Sequence, residues 1–277
     1  PSPGEPSPGE PSPGEPSPDE PDAPPRLATV GSPTESPLPP EGPVEVLYLD
    51  EALVVVSKPS GILVHRTAMS RDQVFLLQQV RDQINQILYP IHRLDRPTSG
   101  ALVFGLSGDD ARLVHDDLKE PSSLKEYLVL VRGETPERWV SERPVKGKEA
   151  RTEYERVATF SRCSLVEARL QTGRRHQVRK QLAHAAHQVL GDTSYGKGKI
   201  NRFFRETYQL PRLFLHAHRL RFSHPRSGEP LEVLAPLAPD LRAFLARLPD
   251  VPRELLAERY GYDLAVADAN ESARTPG

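Results

Sequence analysis

TEYERVATFSRCSLVEARLQTGRRHQVRKQLAHAAH, residues 152–187, changes its periodicity once, and that change sets the fold class. The part over 152–173 is rich in β-branched and aromatic residues and reads as two strands with a turn near Ser161. The part over 174–187 reads as a helix with Val178, Leu182 and Ala185 or Ala186 inward. Upstream, KEYLVLVRG (125–133) alternates strictly, which puts Tyr127, Val129 and Val131 on one face and Leu128 and Leu130 on the other. ALVFGLS (101–107) is another strand, and Ser107 caps a helix carrying Ala111, Val114 and Leu118. VEVLYLD (44–50) and ALVVVSKPSG (52–61) read as two strands closed by a Pro-Ser-Gly turn. A capping box of Ser70 and Gln73 opens a helix that runs through Val74, Leu77, Val80, Ile84 and Leu88. Downstream, LFLHAHRLRFSHP (213–225) and PLEVLAPL (230–237) form a hairpin around Arg226, Ser227 and Gly228, and helices follow over 241–248 and 252–260. Strands that mostly neighbour one another, with a few helices between, predict an α+β domain with a mixed, mainly antiparallel sheet. The lack of strict βαβ alternation argues against a Rossmann-type sheet.

The ends differ from this body. Residues 1–20 repeat PSPGE three times and then PSPDE, and 21–42 keep the same Pro, Ser and acid bias. Such a stretch is too poor in apolar residues to order itself, so 1–42 is predicted to be a disordered arm and 263–277 a disordered tail. The arm could alternatively be a Pro-rich ligand for an SH3-like or WW-like partner. The whole chain carries 36 Lys and Arg against 38 Asp and Glu, yet the two ends hold so many of the acids that residues 43–262 are basic, at +7. A basic body suits a phosphate backbone without requiring one. The single cysteine, Cys163, excludes an intramolecular disulfide and any zinc site built on several thiolates, and fits a reducing compartment such as the cytosol. No apolar run approaches the roughly 20 residues of a membrane span.

Two clusters could carry chemistry. In IHRLDRPTSGALVF (91–104), His92, Arg93, Asp95, Arg96, Thr98 and Ser99 crowd ahead of a strand. They read either as a polar turn in which Asp95 or Ser99 caps backbone N–H groups, or as a reactive site. In LQTGRRHQVRKQLAH (170–184), a Thr-Gly turn feeds Arg174, Arg175, His176, Arg179 and Lys180. Cations in the first turns of a helix oppose its dipole, so the cluster reads either as an anion site, with Arg175 and Arg179 on one face, or as a solvated basic face. The pairs His184/His187 and His216/His218 have ligand-like spacing but no accompanying set of thiols or carboxylates. No metal site is therefore assigned, and His216 and His218 are read as sheet supports. The Gly-rich nucleotide motifs and the G-x-S-x-G elbow are missing.

SKPSGILVH (57–65), HRLDRPTSGALVF (92–104), KEYLVLVRG (125–133) and LQTGRRHQVRKQLAHAAHQVLGDTSYG (170–196) resemble, in order, the motifs of the RluA-type pseudouridine synthases. LHAHRLRFSHPRSGEPLEV follows in its expected place. RDQINQILYPIHRLDRPTSG and GDTSYGKGKINRFFRETYQLPRLFLHAHRL resemble more closely the branch that modifies uridine 65 in the acceptor arm of tRNA. Related branches act on 23S ribosomal RNA with nearly the same motifs, and no S4-type RNA-binding domain is recognisable here.

The resemblance implies an isomerase that needs no cofactor and takes RNA as its partner. It implies that Asp95 is the essential carboxylate, that Arg93 fills the stack vacated by the flipped uridine, that Tyr127 stacks on the target base, and that Arg179 pairs with Asp95. Lys58, Arg96, Arg174, Arg175, His176 and Lys180 are the expected RNA contacts, and the motif holding Lys58 and Pro59 has a mainly structural role. Where many relatives carry His, this chain has Gln181. Moving a glycosidic bond from nitrogen to carbon requires an extruded base. The implied roles suit it: an ionised carboxylate can act at the sugar or base, a paired cation keeps a buried carboxylate ionised, and an aromatic face stacks on the ring in either orientation. A catalytically inactive RNA-binding module of the same fold is the alternative, against which the intact Asp95, Arg93, Tyr127 and Arg179 speak. A metal-dependent hydrolase using the His pairs is a third reading.

Overall fold

The computed structural model describes residues 42–66, 72–262 and 264. The expected arm, apart from Gly42, and the expected tail, apart from Leu264, lie outside the described residues.

A 10-stranded sheet organises the body. Its strands are β1 (Val46–Leu49), β2 (Leu53–Lys58), β3 (Tyr89–Pro90), β4 (Ser99–Gly105), β5 (Leu124–Arg132), β6 (Arg138–Ser141), β7 (Thr152–Phe160), β8 (Cys163–Leu170), β9 (Leu215–Ser223) and β10 (Pro230–Leu234). They run in the order β1-β2-β4-β9-β5-β8-β7-β6, with β10 added to β9 and β3 to β4. Among the described pairings of these strands only β4 with β9 is parallel, through Ser99 opposite His216 and Gly100 opposite Ala217. The expectation of a mixed, mainly antiparallel α+β domain holds.

Alternation along the strands gives the sheet two apolar faces. In one half, Val54, Val56, Leu102 and Phe104 pack with Leu76 and Val80 of α1 (Leu76–Ile84). The intervening Val55 and Val103 pack with Ala111 and Val114 of α2 (Gly108–Asp117). In the other half, Val129, Val131 and Val166 meet Val178 and Leu182 of α3 (Gln177–His184). Leu128, Leu130 and Leu165 meet α4 (Gly198–Tyr208), α5 (Pro239–Ala246) and α6 (Arg253–Tyr260) through Phe204, Phe244 and Leu256. Each fully buried side chain of this kind contributes about 1.5–3 kcal/mol. The β9–β10 hairpin, the Ser107 cap and the β7–β8 turn stand where the sequence places them; Ser161 and Arg162 both have positive φ there.

Several boundaries differ from the sequence reading. The first helix begins at Leu76 behind Phe75, which makes no side-chain cap, and it stops at Asn85 in the left-handed region. Ser70 of the expected capping box lies outside the described residues, and Leu88 is buried beyond the helix. α3 is shorter than its apolar pattern. The Gln177 side-chain oxygen accepts from Arg174 N at 3.0 Å and from Thr172 Oγ1 at 2.8 Å, folding the chain into a turn. His176 then takes φ 57° at the N-cap, which a right-handed helix cannot continue. Arg174 and Arg175 therefore precede the helix, Arg175 and Arg179 do not share a helical face, and Ala185 and Ala186 are exposed past its end. β3, β6 and α4 were not foreseen.

Candidate active site

The loop between β3 and β4 is held from behind by two buried cations. Lys58, 0% exposed, donates from Nζ to Pro59 O at 2.8 Å, Thr98 O at 2.8 Å and Arg96 O at 3.3 Å. Burial first, and the nearby Arg212 charge second, push its pKa down to about 7. Arg212 grips Asp240 through Nε at 2.6 Å and Nη2 at 3.0 Å, and Nη2 also donates to Ser99 Oγ at 3.0 Å. Ser99 Oγ meets His216 Nδ1 at 2.9 Å, and His216 Nε2 lies 3.2 Å from Ala235 O. A carbonyl only accepts, so Nε2 carries the hydrogen and Nδ1 accepts from the serine. Burial drives the His216 pKa down to about 3, which keeps this relay neutral. His92 Nε2 accepts from Val103 N at 3.2 Å and ties the start of the loop to β4. Gly100, at φ +112°, closes the motif because a Cβ there would stand 2.2 Å from Ala217 O, where β4 crosses β9.

Asp95 thereby lines a cavity of about 130 Å³ whose wall also includes Arg93, Thr98, Tyr127, Arg175, His176 and Arg179. Its Oδ2 lies 3.2 Å from Arg179 Nη1 and its Oδ1 3.6 Å from His176 Nε2. The stronger partner of Arg179 is Asp192, 1% exposed, bound through Nε at 2.7 Å and Nη2 at 2.8 Å. Burial opposes the Asp192 charge, yet the guanidinium hydrogen bonds win and hold the carboxyl below its ordinary range. Asp192 Oδ1 also accepts from Ser194 N and Tyr195 N. The Tyr195 ring lies 5.1 Å from the Arg179 guanidinium carbon, and its hydroxyl is 2.9 Å from His176 Nδ1.

Tyr127 is half-buried on β5 beside the cavity, and burial together with the Asp95 charge raises the phenol pKa, so the ring stays neutral. The Thr98 hydroxyl is buried at the wall without a hydrogen-bond partner among the described residues. Arg93 is exposed, and no described residue accepts from it. The structure therefore gathers Asp95, Arg93, Tyr127 and Arg179 around one cavity.

The expected RNA contacts divide. Arg174 and Arg175 are exposed on the rim, and Lys180 is half-buried with its ammonium 5.9 Å from the Tyr195 ring centre. Arg96 is committed to Gly61 O and Asp72. Lys58 cannot touch a phosphate at all: it is enclosed, and three carbonyls occupy its ammonium. His176 lines the cavity itself. The His pairs do not converge on a metal, and no group of three or more His, Cys, Asp or Glu suited to one occurs among the described residues.

Sequence reasoning assigned nothing to Asp192, Tyr195, Arg212 or the Ser99–His216 relay. Asp192 and Tyr195 stand in the GDTSYG stretch, but nothing local says that an acid thirteen residues from Arg179 will take its fork. Gln181 was set aside as a departure and is in fact a hub. It is 3% exposed, accepts from Thr152 Oγ1 and Tyr154 Oη, and donates to Ser141 O, Arg143 O and Ala150 O, fastening α3 to the edge of the sheet.

The sequence model of the RNA pseudouridylate synthase family matches residues 52–184. The chain is 40% identical to tRNA pseudouridine synthase C of Vibrio cholerae over 222 residues, 70% of this chain and 91% of that protein. It is 39% identical to the protein of the same name from Salmonella typhimurium, over 70% of this chain and 85% of that one. Human RNA Pseudouridylate Synthase Domain Containing 1 superposes with a TM-score of 0.55 at 26% identity, covering 73% of this chain and 87% of its own. Human RNA Pseudouridylate Synthase Domain Containing 4 shares the fold, with a TM-score of 0.60 at 23% identity over 74% and 92% of the two chains.

Proposed function

Because this chain belongs to the RNA pseudouridylate synthase family, we propose that it isomerises a uridine of tRNA to pseudouridine, at position 65 of the acceptor arm, with Asp95 as the essential carboxylate. The observation that carries this reading is the placement of Asp95 in a cavity between a buried guanidinium and the Tyr127 ring, in a chain about 40% identical to proteins named tRNA pseudouridine synthase C. Arg93, exposed and unpaired among the described residues, enters the RNA stack when the uridine swings out. Tyr127 offers the uracil a neutral aromatic face, so the detached base keeps its stacking energy while it turns. Arg179 keeps a cation beside Asp95 throughout. Arg174, Arg175 and Lys180 take phosphates at the rim.

The reading is tested by tritium release from unmodified tRNA labelled with [5-³H]uridine, beside 23S ribosomal RNA fragments, followed by mapping of the product. Release from tRNA with pseudouridine at position 65 is the expected result. Release from ribosomal RNA alone would overturn the choice of substrate and leave the chemistry standing.

A further inference from the structure

Resting on the reading that Asp95 works on a flipped uridine, we propose that His176 is the base that removes the proton from C5 of the target uracil. The isomerisation gives the site two tasks. One group must act at the sugar as the N1–C1′ bond breaks and C1′ is joined to C5. After that step C5 carries both its new bond to C1′ and its original hydrogen, while C6 is doubly bonded to N1. The C5–H bond must then break. Its electron pair closes the C5–C6 double bond, the N1–C6 double bond opens onto N1, and N1 takes a proton from the imidazolium or from water. No oxidant or further reactant enters.

Among the described residues lining the cavity, the side chains able to accept a proton are Asp95, His176 and the Tyr127 phenol, and the phenol is neutral and a poor base. With Asp95 assigned to the step at the sugar, the imidazole is the acceptor that remains for C5. Its Nε2 points toward the carboxylate at 3.6 Å, too far to be locked in a hydrogen bond and near enough to share a bound nucleotide. The ring is aimed from its other side: Tyr195 Oη sits 2.9 Å from Nδ1, and in the tautomer where Nδ1–H donates to that oxygen, Nε2 is a free acceptor. Tyr195 is itself fixed by its backbone N–H on Asp192 Oδ1 at 3.0 Å and by its ring against Arg179. The backbone of His176 is held at φ 57°, ψ 30° at the N-cap of α3, in the left-handed region that His enters more readily than most side chains. Burial first, and then Arg179, Arg175 and Lys180 against the opposing pull of Asp95, lower its pKa and favour the neutral imidazole that an acceptor needs.

The test compares the full chain with His176→Asn, whose side chain tolerates the left-handed backbone, and with Tyr195→Phe, which keeps the ring on Arg179 and loses the hydroxyl. Each acts on tRNA made with uridine or with 5-deuteriouridine, across the pH range. The expected result is a loss of about 10²-fold in His176→Asn with unchanged tRNA affinity. Deuterium at C5 should slow this variant more than the parent, and the decline in rate toward acid pH expected of the parent should be absent from the variant. Tyr195→Phe should show the same signature more weakly. A parental rate in His176→Asn, or a slow variant whose isotope effect and pH profile match the parent, would overturn the role of His176. A parent that forms no pseudouridine would overturn the functional reading and this inference with it.

Discussion

Arg179 divides its guanidinium unequally between two carboxylates: Nε and Nη2 are given to Asp192 at 2.7 and 2.8 Å, and only Nη1 reaches Asp95, at 3.2 Å. Asp192 thus fixes the plane of the guanidinium, and Asp95 receives one directed N–H while keeping oxygen available for chemistry. Asp192→Ala is expected to cost about 3–5 kcal/mol, because it strands a buried cation. Asp192→Asn keeps the shape, and misaims Arg179 enough to lower kcat by about 10²-fold. Denaturant melts and single-turnover assays separate the two effects, and a fully active, stable Asp192→Ala would contradict this role.

Lys58 makes the same kind of argument for the loop backbone. Lys58→Met removes the donor for Pro59 O and Thr98 O, and leaving buried carbonyls unsatisfied costs about 1–3 kcal/mol each. Activity should fall along with stability, while the salt dependence of tRNA binding stays parental. A changed salt slope would mean that Lys58 does meet phosphate.

Arg93 predicts the opposite pattern. Its side chain is exposed and has no described partner, so Arg93→Ala should leave the melting temperature unchanged while pseudouridine formation falls. A lowered melting temperature would show a structural role instead.

Acid stability follows from two imidazoles. Burial, with the Lys125 and His115 charges after it, lowers the His92 pKa to about 4, and burial lowers that of His216 to about 3. Both values lie below that of an unfolded histidine, about 6.5. The unfolded chain therefore binds protons that the native one refuses as pH falls from about 6.5 toward 4, and stability drops by up to roughly 1.4 kcal/mol per pH unit for each group. Their full contribution is present above pH 6.5. Thermal melts from pH 7 to 4.5 should show the decline, and His92→Asn should make it shallower. A flat profile would contradict the assignment.

Much of this was legible beforehand, and the reason differs by element. The alternation of β5 gives its two faces directly, because Tyr127, Val129 and Val131 are separated from Leu128 and Leu130 by a period of two. The string from His92 to Gly100 reads equally as a polar turn by its residue types, and only its resemblance to a family motif pointed to a site. The fate of 174–176 was not legible, since the turn depends on the Gln177 side chain bonding back to Arg174 N rather than on apolar spacing. Lys58, expected among the RNA contacts, is instead enclosed by the fold, a burial that no local pattern around a lysine next to a turn reports. Asp192, Arg212 and Gln181 act through contacts with residues distant in sequence, which no local pattern reports.

The most direct test of the account is pseudouridine formation in unmodified tRNA by the parent and by Asp95→Asn, measured together with tRNA affinity. The account predicts that the variant binds tRNA as the parent does, melts at a similar temperature and forms no pseudouridine. Isomerisation by Asp95→Asn at the parental rate would contradict it.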